Sequence, residues 1–250
     1  MIGPEEVTVV SRRPEQVVGW PVDVIGYHHI NGLAVHAAFL AVPDAHIASV
    51  SRELAELLPR STPIYHTSGA TPVDRISDRF LHRGVLWPIR SLRSGEPVTD
   101  WRDLPLAIYA DSPAAKAFIT ELAHRLSDTV AYLDDAQRAQ LHLAAVFSNN
   151  FVTALYEISF RICAEHGIPF ELLLPIIRKT AEAQDGHSPA LRQTGAAMRG
   201  DEPTMERHLS LLDEEPYRRL YRDISALILQ YRLPEYHAHL RRDPDNDLQN

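Results

Sequence analysis

The feature that most constrains this chain is a change of rhythm near residue 134. Before it, short apolar runs recur at intervals: Val7–Val10, Val22–Ile25, Ala38–Val42, Pro63–Tyr65, Val85–Trp87, Leu106–Tyr109 and Val130–Leu133. Helical patterns and turn residues separate them. Short buried runs spaced in this way are the signature of an α/β domain with a mainly parallel sheet. After Asp134-Asp135 no strand pattern remains. Helical periods cover roughly 135–166, 169–185, 188–199, 202–213 and 216–231, with breaks at Gly167-Ile168-Pro169, His187-Ser188-Pro189 and Asp201-Glu202-Pro203. The expected organisation is an α/β domain over 1–134 and an all-α domain over 135–250. Its polar tail, from about 241, is expected to be disordered.

Charge and cysteine content narrow the function classes. A net charge of −8 disfavours a nucleic-acid partner, which needs a basic face. The one cysteine, Cys163, excludes an intrachain disulfide and fits a reducing compartment. The first residues, MIGPEEVTVVSRR, have acids where a signal peptide wants bases. No apolar run is long enough to span a bilayer. A cytoplasmic protein without a membrane segment is therefore expected. His28-His29 and His237-x-His239 lack the further ligands that a metal site needs, and no metal is expected. There is no G-x-S-x-G elbow and no P-loop.

Three places could carry chemistry. Ser11-Arg12-Arg13 closes the first apolar run. Two guanidiniums at a strand end suit the 2′-phosphate of NADP; the plainer reading is solvated arginines. His66-Thr67-Ser68-Gly69 follows another run and bunches an imidazole with two hydroxyls before a glycine, as a substrate loop or an ordinary turn would. Leu141–Phe160 reads as one buried helix carrying His142, Ser148, Asn149 and Asn150. Positions seven apart nearly eclipse on an α-helix, so His142 and Asn149 share a face while Asn150 lies round the side. That face is either a hydrogen-bonded core network or the wall of a polar pocket with His142 as general acid or base.

The stretches HTSGATPVDRISDRFLHRGVLWPIRSL (66–92), LHLAAVFSNNFVTALYEIS (141–159) and ALRQTGAAMRGDEPTMERHL (190–209) occur in this order here. Together they resemble a bacterial group of Rossmann-like proteins whose C-terminal half is the domain of unknown function numbered 2520. That group is related to pyrroline-5-carboxylate reductase and the β-hydroxyacid dehydrogenases. The resemblance covers roughly residues 7–231. It implies a Rossmann-like dinucleotide-binding domain, then a helical domain for dimerisation and substrate. His66, Ser68 and Gly69 match the family's His-Thr-Ser-Gly loop. His142 and Asn149 match its polar helix face. Thr194-Gly195, Arg199-Gly200-Asp201 and His208 match its C-terminal signature. FLAVPD (39–44) looks like its fourth strand, which puts Val42 and Pro43 beside the cofactor with Ser11, Arg12 and Arg13.

Two departures stand out. Trp87-Pro88-Ile89-Arg90-Ser91-Leu92 replaces a His-Pro or Tyr-Pro pair followed by Gln-Thr-Phe, so Arg90 would alter the charge preferred in the substrate. The sequence also contains no G-x-G-x-x-G, the turn that seats a pyrophosphate on a helix N-terminus. The first run aligns with the family's second strand, leaving the central strand of a 3-2-1-4-5-6 order without a counterpart. A true start upstream of Met1, a genuine truncation and a divergent sheet each explain this.

The expectation is an NADP-dependent oxidoreductase moving hydride to or from a small carbonyl, imine or hydroxy substrate. His142 and Asn149 would be catalytic, and His66, Ser68, Gly69 and Arg90 would bind substrate. The alternative is a dimeric scaffold or metabolite-binding protein that has lost its cofactor. The broad apolar faces of the five helical segments exceed what one small sheet domain can cover, so a homodimer is expected.

Overall fold

The computed structural model describes residues 7–19, 21–31, 33–91, 100–233 and 236. The polar tail, Leu92 and the His237-x-His239 pair lie outside the described residues. The chain divides into two compact units, Met1–Phe151 and Val152–Asn250. The last strand ends at Tyr132, and the helix that begins at Asp135 belongs to the first unit.

Each apolar run contains a strand, with ends shifted by a residue or two. They are β1 (Thr8–Ser11), β2 (Asp23–Gly26), β3 (Ala38–Leu40), β4 (Ile64–His66), β5 (Arg83–Pro88), β6 (Leu106–Ala110) and β7 (Val130–Tyr132). They form two sheets. β1 and β2 pair in parallel, in register from Thr8↔Asp23 to Ser11↔Gly26. The other five follow the order β3-β4-β5-β6-β7, parallel throughout except for the antiparallel β5–β6 pair. β1 and β3 are not hydrogen-bonded to one another, and β3 stands at the edge of the larger sheet.

Strand alternation builds two cores on opposite faces of that sheet. Ile64, Val85, Trp87 and Ala107 face one core. Tyr65, Leu86, Leu106 and Ile108 face the other. Helix α1 (Ile47–Ala55) brings Ile47, Val50 and Leu54 to the first, at spacings of three and four. Helix α2 (Pro113–Leu126) brings Ala115, Ile119 and Ala123 to the second, at a spacing of four. Ser112 caps α2 by accepting from the Ala115 amide at 3.3 Å, and Pro113 opens its first turn. The β5–β6 contact leaves no room at Gly84, where a Cβ would sit 2.5 Å from the Tyr109 carbonyl oxygen and 2.6 Å from the Tyr65 ring.

The helix read over Leu141–Phe160 differs from expectation. Helix α3 (Asp135–Ala145) runs into a π turn, Val146–Phe151, and then into α4 (Val152–Glu165). The Ser148 hydroxyl donates back to the Ala144 carbonyl at 3.1 Å within this widened turn. The segment is also not buried: on α4 only Cys163 is, while Phe147 is 62% and Phe160 50% exposed.

The second unit continues with α5 (Leu174–Glu182), α6 (Ala196–Arg199), α7 (Glu202–Ser210) and α8 (Glu215–Gln230). Gly195 and Gly200 bracket α6 with positive φ angles, which broke the helix expected over 188–199. Asp201 caps α7 by accepting from the Thr204 amide at 3.2 Å. His208 on α7 meets the Tyr221 hydroxyl of α8 at 2.8 Å.

Candidate functional site

Parallel pairing puts the carboxyl ends of β3, β4 and β5 on one edge of the sheet, where ligand-binding loops of α/β sheets gather. The segments leaving that edge are Val42-Pro43-Asp44, His66–Gly69 and Ile89–Ser91. Helix α3 contributes a stripe of Asp135, Arg138 and His142, at spacings of three and four.

His66 ends β4 and is fully buried. Its Nδ1 accepts from the Ser68 amide at 3.2 Å, which places the proton of the neutral ring on Nε2. Nε2 lies near the Pro72 carbonyl without reaching hydrogen-bond geometry. Burial, and then the positive charge of Arg138, hold the His66 pKa down to about 4. The stability consequence has a definite sign. Between pH 6.5 and 4 the unfolded chain takes up a proton that the folded chain refuses, so stability falls as the pH falls. The expected loss is about 2 kcal/mol between pH 7 and 5. Urea unfolding should show a shallower acid slope for His66→Gln than for the parent; parallel slopes would contradict this.

Ser68 is 8% exposed and its hydroxyl is saturated. It donates to Asp44 Oδ2 at 2.7 Å, accepts from the amides of Thr71 at 3.0 Å and Ala70 at 3.2 Å, and lies 2.9 Å from the Thr71 hydroxyl. This ties the loop after β4 to the loop after β3. Gly69 lies flat against Trp87, and a Cβ there would meet the indole at 2.5 Å. The close approach needs glycine.

Sequence reasoning passed over the group that anchors this loop. Arg138 is 1% exposed. Its Nη2 donates to the Thr71 carbonyl and to Asp135 Oδ1, both at 2.6 Å. Asp135 in turn accepts from the Val73 amide at 3.1 Å. Arg138 Nε and Nη1 are buried without a hydrogen-bond partner. An acid and an arginine three apart on a helix ordinarily form a surface pair. Only the fold of the 66–73 loop over them buries Arg138, while Asp135 keeps 35% of its side chain exposed. A capping box at Asp134 and Gln137, visible as D-x-x-Q, fixes where α3 starts.

His142 sits beyond Arg138, its ring edge-on to Trp87 with centroids 5.6 Å apart. Its Nδ1 is buried without a partner. Asn149 lies in the π turn, and its Nδ2 donates to Ser91 Oγ at 2.6 Å. His142 and Asn149 therefore both meet the carboxyl end of β5, although the helix between them is not a regular α-helix. Arg90, beside Ser91, is exposed.

Ser11, Arg12 and Arg13 lie at the carboxyl end of β1. The Arg13 amide donates to Ser11 Oγ at 3.1 Å. Arg12 reaches Glu53 of α1 at 3.6 Å, with both side chains more than half exposed. That pair is weak, and Arg12 also interacts with the Tyr27 hydroxyl. Pro43 accepts from the His46 amide at 2.8 Å as the chain turns towards α1. Among the described residues no group of three or more His, Cys, Asp or Glu is placed to hold a metal, and no helix is long and apolar enough to cross a membrane.

The fold is that of Rossmann-type oxidoreductases. The chain belongs to the family defined by the Domain of unknown function (DUF2520), whose model matches residues 104–228, half of the sequence. It is similar to a Bacteroides fragilis protein provisionally named an NADP oxidoreductase, at 29% identity and a TM-score of 0.79, over 90% of this chain and 88% of that one. A Thermotoga maritima protein matches with 19% identity and a TM-score of 0.70, over 90% of each chain. An imine reductase of Myxococcus stipitatus, in complex with NADP+, matches with 13% identity and a TM-score of 0.52, over 95% of this chain and 88% of that one. The last two likenesses concern the fold alone. No curated protein matches the sequence.

Proposed function

We propose that this protein is an NADP-dependent oxidoreductase acting on a small carbonyl, imine or hydroxy compound. The observation that carries the reading is His142 held against Trp87, beside the His66–Gly69 loop, at the carboxyl edge of β4 and β5. The similarity to the Bacteroides fragilis protein supports it.

The nicotinamide cofactor, when bound, supplies the hydride chemistry. Arg12 and Arg13 fit its 2′-phosphate, since both lie at a strand's carboxyl end and the Arg12–Glu53 ion pair is weak. Val42 and Pro43 would flank it. The pyrophosphate end fits less well, because no G-x-G-x-x-G turn is present in the sequence.

The remaining roles belong to this chain's own side chains. With Nδ1 of His142 buried, Nε2 is the nitrogen left to give or take the substrate's proton. Asn149, braced by Ser91, orients the substrate's oxygen or nitrogen. His66 stays neutral and lines the wall, while Ser68 and Gly69 set the loop's shape against Asp44 and Trp87. Arg90 offers a cation to an acidic substrate. A second reading is a dimeric scaffold or metabolite-binding protein without turnover.

Loss of absorbance from NADPH, followed with a panel of small cyclic imines, aldehydes and 2-oxo acids, separates the two. Saturable oxidation with at least one compound is the expected result. No oxidation across the panel, with NADPH bound, would leave the binding reading in place.

A further inference from the structure

Helix α3 meets the site twice. One turn carries Asp135 and Arg138, and the next carries His142 on the same face. Packing orients His142, because its buried Nδ1 has no hydrogen-bond partner and its ring stands edge-on to Trp87. Gly69 lies against the same indole. It belongs to a stretch, 67–72, that is neither helix nor strand. The amides of Ser68, Ala70 and Thr71 are taken up within the loop, by His66 Nδ1 and Ser68 Oγ. The loop is tied outward at Ser68, which donates to Asp44, and at Thr71 and Val73, which meet Arg138 and Asp135. The contacts therefore close a ring, from α3 through the loop and Trp87 back to α3.

We propose that Arg138 is a positioning residue for the reaction, given the role proposed above for His142. By gripping the Thr71 carbonyl it seats Gly69 on Trp87, and the indole so placed fixes where the His142 ring stands. Arg138 touches neither substrate nor cofactor in this scheme. It acts through the loop, while the helix that carries it holds His142 one turn further on.

Stability alone does not account for an arginine here. A buried ion pair is often no more stabilising than apolar side chains of similar volume. Arg138 moreover buries Nε and Nη1 without a partner, which costs free energy. What the guanidinium supplies is direction. Its Nη2 spans the Thr71 carbonyl and Asp135 Oδ1, both at 2.6 Å, within a planar group whose donors point along fixed lines. A loop shaped by its own side chains gains a set position from such a grip. A site residue held by packing needs that position to be set.

Arg138→Met with Asp135→Asn in the full chain tests this, because it releases the loop without stranding a charge. The indole ring current should shift the Gly69 Hα resonances upfield in the parent, and nuclear magnetic resonance should show that shift lost in the double variant. NADPH oxidation, with a compound that the parent accepts, should fall about 100-fold in kcat, the scale set by misplacing a catalytic group by about 1 Å. Melting temperature should stay near the parent's, whereas a purely structural role would bring turnover back along with stability. Either the parental Gly69 shift or the parental turnover in the folded double variant overturns the proposal. Arg138→Lys, which keeps the charge without the planar fork, takes its place if the double variant does not fold. It should show a smaller change in both quantities, and parental values of either overturn the proposal in the same way. If the parent oxidises no NADPH, the oxidoreductase reading fails by itself, and the Gly69 shift still decides whether Arg138 seats the loop.

Discussion

Replacing Asp135 with Asn should cost about 3–5 kcal/mol of stability, the largest single-residue effect expected in the first unit. The guanidinium of Arg138 is fully buried and has one acidic partner at 2.6 Å. Two of its nitrogens already lack hydrogen bonds. Removing the carboxylate strands a buried cation in a low-dielectric setting, and the Val73 amide loses its charged acceptor as well. Arg138→Met together with Asp135→Asn should recover much of the loss, because no uncompensated charge then remains. Urea unfolding monitored by tryptophan fluorescence reads both. Trp87 reports on the same loop, since it packs against Gly69. A double variant no more stable than Asp135→Asn would mean that the pair does not act as a buried charge pair.

The second large effect concerns chemistry. His142→Gln should lower turnover of NADPH about 10²–10⁴-fold, the usual contribution of a positioned general acid or base. NADPH affinity should stay within about twofold, since the arginines assigned to the cofactor sit at the end of β1. The stability cost should be small, about 0.5–1.5 kcal/mol for the lost ring contact with Trp87. Single-turnover kinetics at saturating NADPH, beside a melting curve, separate the two quantities. Unchanged turnover, or turnover lost only in step with melting temperature, would return His142 to a packing role.

Much of the fold was legible because alternation and turn chemistry are local signals. The runs at Leu106–Tyr109 and Val85–Trp87 overlap β6 and β5, and their period of two assigns side chains to the two cores. Asp134 announces α3 through its capping box. The π turn left no such trace: VFSNNF contains neither proline nor glycine, and its hydroxyl and amides suit an α-helix as well. Burial around it was misjudged for a related reason. Apolar residues along a helix do not by themselves show that its faces are covered. In the sequence His66, Ser68 and Gly69 stand out through their clustering, and His142 as a polar residue among apolar neighbours; the structure brings His142 and Gly69 together on Trp87. Arg138 and Asp135 do not stand out, because the burial of Arg138 depends on a loop 62–67 residues away folding over it.

The separation of β1–β2 from the larger sheet bears on the cofactor. The two arginines proposed for the 2′-phosphate follow β1 of the smaller sheet, and His142 packs on Trp87 of the larger one. Arg12 joins them through Glu53 of α1, the helix between β3 and β4. Selectivity for the phosphorylated cofactor, on the proposed reading, should therefore depend on Arg12 and Arg13 and not on the His142 wall.

Calorimetric titration of the full chain with NADPH and with NADH, at matched ionic strength, tests the oxidoreductase reading most directly. NADPH should bind with micromolar affinity and at least about tenfold more tightly than NADH, and Arg12→Ala with Arg13→Ala should erase the difference. No heat from either cofactor at 100 µM protein would contradict an NADP-dependent enzyme in this chain.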